Sequence, residues 1–150
     1  MRVHVYPSDL DGCGFYRLIW PAEALAADGH DVHVYPPGKQ DTLNIYEMPG
    51  RRIVAKVDHP GCDVMIIQRP LRWQWAQAIP LYREMGVKVV VDLDDDFENC
   101  PRDHAAYREV CPATSPRQNW KHLRAAIDAA DRFTASSDAL VERHGPGTVI

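Results

Sequence analysis

Short apolar runs along the chain alternate with longer stretches whose apolar positions recur every three or four residues, the pattern of strands joined by crossover helices. Val3–Tyr6 predicts a first strand, followed by a turn-rich loop over residues 7–14. From Phe15 to Asp28 the positions Leu18, Ala22, Leu25 and Ala26 keep a helical period. Pro21 falls near the start, where it is tolerated or produces a modest kink, and Gly29 is placed to cap the end. A second strand is expected over Asp31–Tyr35. Residues 36–61 are the least regular, punctuated by Pro36-Pro37-Gly38 and Pro49-Gly50, with a short strand around Ile53–Val57. Asp63–Gln68 and Lys88–Asp92 read as strands buried on both faces. Between them lies a helix over Arg72–Met85, with Pro80 set to bend or split it and Gly86 to end it. On that helix Trp73 and Trp75 face different directions, so one could be exposed, although packing against the sheet or a partner domain is the commoner outcome. Phe97–Pro116 has weak periodicity and three prolines, the mark of a functional or mobile loop. Asn119–Ala130 is helical with Trp120, Leu123 and Ile127 on one face, and Arg132–Ala135 is a strand. Ser136-Ser137-Asp138 then offers N-caps for a helix ending near His144, and Thr148–Ile150 begins another strand.

These elements predict an α/β fold: a Rossmann-like three-layer sandwich with a mostly parallel sheet, in a single domain over residues 1–150. The 45% hydrophobic and 25% charged residues fit an ordinary globular domain. A net charge of -4 without a basic block argues against a nucleic-acid partner. No apolar stretch approaches the roughly 18 residues of a membrane helix, and the N-terminus reads as a strand and not a signal peptide. A cytoplasmic protein with no membrane span is therefore expected. The four cysteines form no CxxC pair, so free thiols are expected. Cys100, His104, Cys111 and His122 match no usual zinc spacing, and no metal ligand is assigned.

In open parallel sheets ligands bind beyond the carboxyl ends of the strands, and three features fall there. The first is Asp11-Gly12-Cys13-Gly14-Phe15-Tyr16-Arg17 after the first strand. Gly12 and Gly14 let backbone approach a ligand, the helix start offers free N–H groups to an anion, and Arg17 could clamp a phosphate. The dinucleotide fingerprint is not met, because Arg17 stands where its third glycine would be. The second is Asp92-Leu93-Asp94-Asp95-Asp96. Strand alternation would point Asp92, Asp94 and Asp96 one way and Asp95 the other. Crowded carboxylates need a cation, an arginine or a helix terminus to offset them, and can bind an ion, accept from sugar hydroxyls or act as a base. The third is Gln68-Arg69-Pro70, whose Arg69 either binds an anionic group or neutralises the aspartates. His104 in the long loop is a candidate acid or base, and one of the tryptophans could stack on a sugar.

Gly14-Phe15-Tyr16-Arg17, the helix through Pro21-Ala22-Glu23-Ala24-Leu25, and Gly29-His30-Asp31-Val32 resemble the opening of GT-B glycosyltransferases. Thr134-Ala135-Ser136-Ser137-Asp138-Ala139-Leu140 resembles the strand-to-helix step near the end of their N-terminal domain, and the aspartate run is similar to that of bacterial and phage-encoded members. The resemblance covers essentially all of the chain. It implies one half of a GT-B architecture: an acceptor-side domain, trimmed ahead of a C-terminal domain that binds most of the donor. The implied reaction transfers a sugar from a nucleotide-sugar donor to an acceptor such as a glycan or protein. No cofactor is required beyond that co-substrate, and a divalent metal is possible but not expected. Asp94, Asp95 and His104 are then the catalytic candidates, with Gly12, Gly14, Arg17, Arg69, Asp92 and Asp96 binding substrate. Gly12, Gly14 and Arg17 fall on the phosphate side of the cleft, and Arg17→Ala should abolish activity with folding intact. Two rivals remain. A metal-dependent phosphohydrolase would use Asp92 and Asp94, although the threonine of its motif is missing. A non-catalytic flavodoxin-like binding domain would want an acidic pair after the first strand, where only Asp9 and Asp11 stand.

Overall fold

The computed structural model describes residues 1–37, 45–104 and 106–150. Its centre is a six-stranded sheet built of β1 (Arg2–Tyr6), β2 (Asp31–Val34), β5 (Val64–Gln68), β6 (Lys88–Leu93), β7 (Arg132–Ala135) and β8 (Thr148–Val149), in the order β2-β1-β5-β6-β7-β8. Every pairing in it is parallel. β3 (Ile45–Glu47) and β4 (Val54–Val57) form a separate antiparallel hairpin. The fold is α/β, with helices covering both sheet faces as in a Rossmann-like three-layer sandwich. β3 is missing from the sequence expectation because three residues, mostly exposed, leave no periodic signal; its pairing with β4 defines it. Gly38 of the expected Pro-Pro-Gly turn lies outside the described residues.

Strand alternation divides the core. Val3 and Val5 face one side, where Leu18 and Ala22 pack on them. Tyr6, Met65, Ile67, Val89, Val91 and Phe133 face the other, under α3 (Trp73–Glu84), α5 (Asn119–Ala129) and α6 (Asp138–His144). The first crossover helix is composite: a turn, α1 (Gly12–Gly14), a π-helical stretch Phe15–Ile19, and α2 (Trp20–Ala27). Pro21 has no N–H to close a regular turn, and the widened turn lies directly before it, with the Trp20 N–H reaching the Phe15 carbonyl. Gly29, at φ 88°, reverses the chain after α2 in a left-handed conformation that suits glycine.

α3 is continuous through Pro80, whose exposed position turns the ring toward solvent. Neither tryptophan on it is at the surface: Trp75 is buried and Trp73 half-buried, because hairpin and loop residues cover the side of α3 that a bare helix would expose. The stretch 97–116 is likewise no bare loop. It contains a 3-10 turn, Phe97–Asn99, and α4 (Tyr107–Val110), and it is pinned by buried Phe97, Cys100, Val110 and Cys111. No helix among the described residues is long and apolar enough to cross a membrane.

Candidate functional site

The crossover from β1 leads to β2 on one side, and the crossover from neighbouring β5 leads to β6 on the other. The carboxyl ends of β1 and β5 therefore flank a topological switch point, the place where open parallel sheets generally form a ligand crevice. Ser8 and Asp9 follow β1, Gln68 ends β5, and Arg69 follows it. These residues meet. The Ser8 N–H and hydroxyl donate to Gln68 Oε1 at 3.0 and 3.1 Å, and Arg69 Nη1 donates to Asp9 Oδ2 at 3.0 Å.

Arg69 is the hub. Its backbone is left-handed at φ 49°, a costly conformation for a side chain with a Cβ, and this turns the guanidinium back over the strand ends. There Nε and Nη2 make a bidentate pair with the Asp94 carboxylate, and Nη2 lies 3.1 Å from Asp95 Oδ2. Burial pulls the Arg69 pKa down, but Asp94, Asp95 and Asp9 outweigh it and hold the charge more firmly than usual. Burial likewise pushes Asp94 up, yet hydrogen bonds from Arg69 and the Cys13 thiol leave it below the usual carboxylate range. Of the two sequence alternatives for Arg69, neutralisation of the aspartates is the one the geometry displays.

Strand alternation does not carry through the aspartate run, because β6 stops at Leu93. Asp94 and Asp95 both turn to Arg69, while Asp96 accepts from the Asn99 N–H and side chain and pairs with Arg143 at 3.1 Å. Asp96 is thus a turn cap away from the crevice. Asp92, still in the strand, is fully buried, and Arg17 grips it through Nε at 2.9 Å and Nη2 at 2.6 Å. The Thr134 hydroxyl, its register partner on β7, adds a bond of 2.7 Å. This pairing raises the Arg17 pKa against the opposing effect of burial.

The glycine loop also meets an internal anion. Asp9 Oδ1 accepts the N–H groups of Asp11 and Gly14, both at 3.0 Å, so the chain's own carboxylate occupies the helix start. Gly14 has no room for a side chain, since a Cβ would sit 2.1 Å from the Asp9 carbonyl oxygen. Gly12 is exposed and has space for one. His104 is exposed, and its Nδ1 accepts from the Ala106 N–H, which keeps it in its own loop.

The structure thus gathers Arg69, Asp94, Asp95 and Gly14 at the crevice, places Arg17 with Asp92, and directs Asp96 and His104 elsewhere. Sequence reasoning missed Ser8 and Asp9 as parts of it, and named Gln68 beside Arg69 without giving it a role. The buried Gln68 amide is notable because its Nε2 has no hydrogen-bond partner, a rare state for an interior donor. A glutamine closing an apolar strand was the signal available. Among the described residues, no three His, Cys, Asp or Glu side chains converge so as to hold a metal ion, and all four cysteines are free. No known protein family, curated protein or solved structure matches the chain.

Proposed function

We propose that this domain is the acceptor-binding side of a nucleotide-sugar-dependent glycosyltransferase, with the acceptor's hydroxyl groups seated in the switch-point crevice. The observation that carries the reading is the Arg69 hub, a strained cation that fixes three aspartates where open parallel sheets bind ligands. Its carboxylates are not equivalent. Asp94 has both oxygens on Arg69 and a side chain only 5% exposed, whereas the Asp95 side chain is 39% exposed and has one oxygen on Arg69. Asp95 is therefore the general base in this reading. It takes the proton of the acceptor hydroxyl as that oxygen attacks the anomeric carbon and the bond to the nucleoside diphosphate breaks. Asp94 and Arg69 position it. A phosphohydrolase would need Asp92 free as a nucleophile, and Arg17 and Thr134 enclose that carboxylate.

Thermal shift against free glycans, nucleotide sugars and Mg²⁺ tests the assignment. A glycan that binds the native state raises the melting temperature, and Asp95→Asn should remove most of that shift while leaving the unliganded midpoint unchanged. A shift with Mg²⁺ alone, or glycan shifts that Asp95→Asn leaves intact, would overturn it.

A further inference from the structure

A second concave surface lies on the same edge of the sheet. It is a groove of about 570 Å³ whose walls include Arg52, Arg72, Trp73, Arg117, Asn119 and His122. Arg117 and Asn119 also border an adjoining pocket of about 540 Å³, to which Arg108 contributes. None of Arg52, Arg72 and Arg117 makes an ion pair among the described residues. Gln74, also on the groove wall, donates its amide to Glu47 at 2.9 Å.

The backbone adds to this positive field. α3 and α5 both begin in the groove, at Trp73 and Asn119. The N-terminal end of a helix carries partial positive charge and usually attracts an acidic residue, but neither first turn contains one. Arg72 itself occupies the N-cap of α3 and supplies no capping acceptor. At α5 the Asn119 N–H is met by the Ser115 hydroxyl at 3.2 Å, a neutral cap. Burial lowers the His122 pKa against a backbone hydrogen bond at Arg117, and the Arg52 and Lys121 charges lower it further, which favours the neutral imidazole. Among the described residues, then, three exposed guanidinium groups share a groove with two positive helix ends and no acidic partner.

We propose that this groove is a binding site for a small phosphate ester, its phosphate held by Arg52, Arg72 and Arg117 and its ring set against the half-buried Trp73. Guanidinium groups match phosphate oxygens in pairs, helix N-termini supply further N–H donors, and an indole wall suits a sugar or base ring. The site does not depend on what reaction the switch-point crevice serves.

Calorimetric titration with inorganic pyrophosphate tests the cation cradle. Binding is expected, weakened about tenfold or more in the Arg72→Ala, Arg117→Ala double variant. Arg2→Ala, at the opposite end of β1, should bind as the parent does, and melting curves verify that each variant is folded. Absence of pyrophosphate binding at millimolar concentration, or equal binding by the double variant, would overturn the site. Glucose 1-phosphate and uridine 5′-monophosphate distinguish the ring. Tighter binding of either than of inorganic phosphate, lost in Trp73→Leu, supports the ester; equal binding of all three overturns it. A single-stranded oligonucleotide that binds well above both esters would overturn the assignment to a small molecule.

Discussion

At the scale of the residue, Arg17 shows how a structure changes the meaning of a motif. Its position after a glycine-rich turn suggests a phosphate clamp, and its atoms instead close on Asp92, 75 positions away in the chain. Breaking a buried pair from one side leaves an uncompensated charge inside, at a cost of about 3–5 kcal/mol. Arg17→Ala should therefore lower stability by roughly that amount in urea unfolding, so folding does not stay intact. The sequence expectation was that folding would survive. An unfolding midpoint equal to the parent's would return Arg17 to the ligand. Sequence alone named both partners but could not join them, because nothing local ties β6 to the helix after β1. The Arg69–Asp94 contact was easier to foresee, since both residues end neighbouring strands.

At the scale of the element, periodicity located nearly every strand and helix of the main sheet, including β7 at its observed bounds. It failed where tertiary contacts decide the outcome: the three-residue β3, the π-helical turn before Pro21, and the packed segment from Phe97 to Val110. The two tryptophans of α3 make the same point. Their spacing separates them on the helix, but only the fold decides what each meets. Trp75 lies in the main core at 1% exposure, and its ring is 6.1 Å from that of Tyr6. Trp75→Ala should cost about 3–5 kcal/mol in unfolding free energy. Trp73→Ala removes a half-buried ring that lines the arginine groove, and it should cost markedly less. Equal losses in a pair of denaturation curves would show that Trp73 is a core residue and not a groove wall.

At the scale of the whole molecule, a small net charge conceals a segregated one. The switch-point residues balance aspartates against Arg17 and Arg69, and among the described residues the groove beside α3 and α5 sets no acid against its arginines. Neither distribution is visible in composition, which is why the expectation of no nucleic-acid partner, drawn from net charge, came without an anion site. The interior carries a further charge cost that sets acid stability. Both ring nitrogens of buried His144 lack a partner, and burial, more than the mixed charges of Glu98, Arg124 and Asp96, lowers its pKa. His4 and His122 shift the same way, burial being the largest cause for each. A histidine with a lowered native pKa takes up its proton first in the unfolded chain. Stability should therefore be full above about pH 6.5 and decline as pH falls below it, by at most about 1.4 kcal/mol per pH unit for His144. Asp94 and Asp131, both held below the usual carboxylate range, add a separate loss below about pH 4, when their unfolded forms and then their native forms protonate. Urea unfolding at pH 7.5, 5.5 and 3.5 separates the two windows. His144→Phe, which keeps a ring beside Phe133, should shrink the first to the part due to His4 and His122 and leave the second unchanged. A parent protein equally stable at pH 7.5 and 5.5 would mean that the imidazole of His144 reaches solvent and titrates as in the unfolded chain.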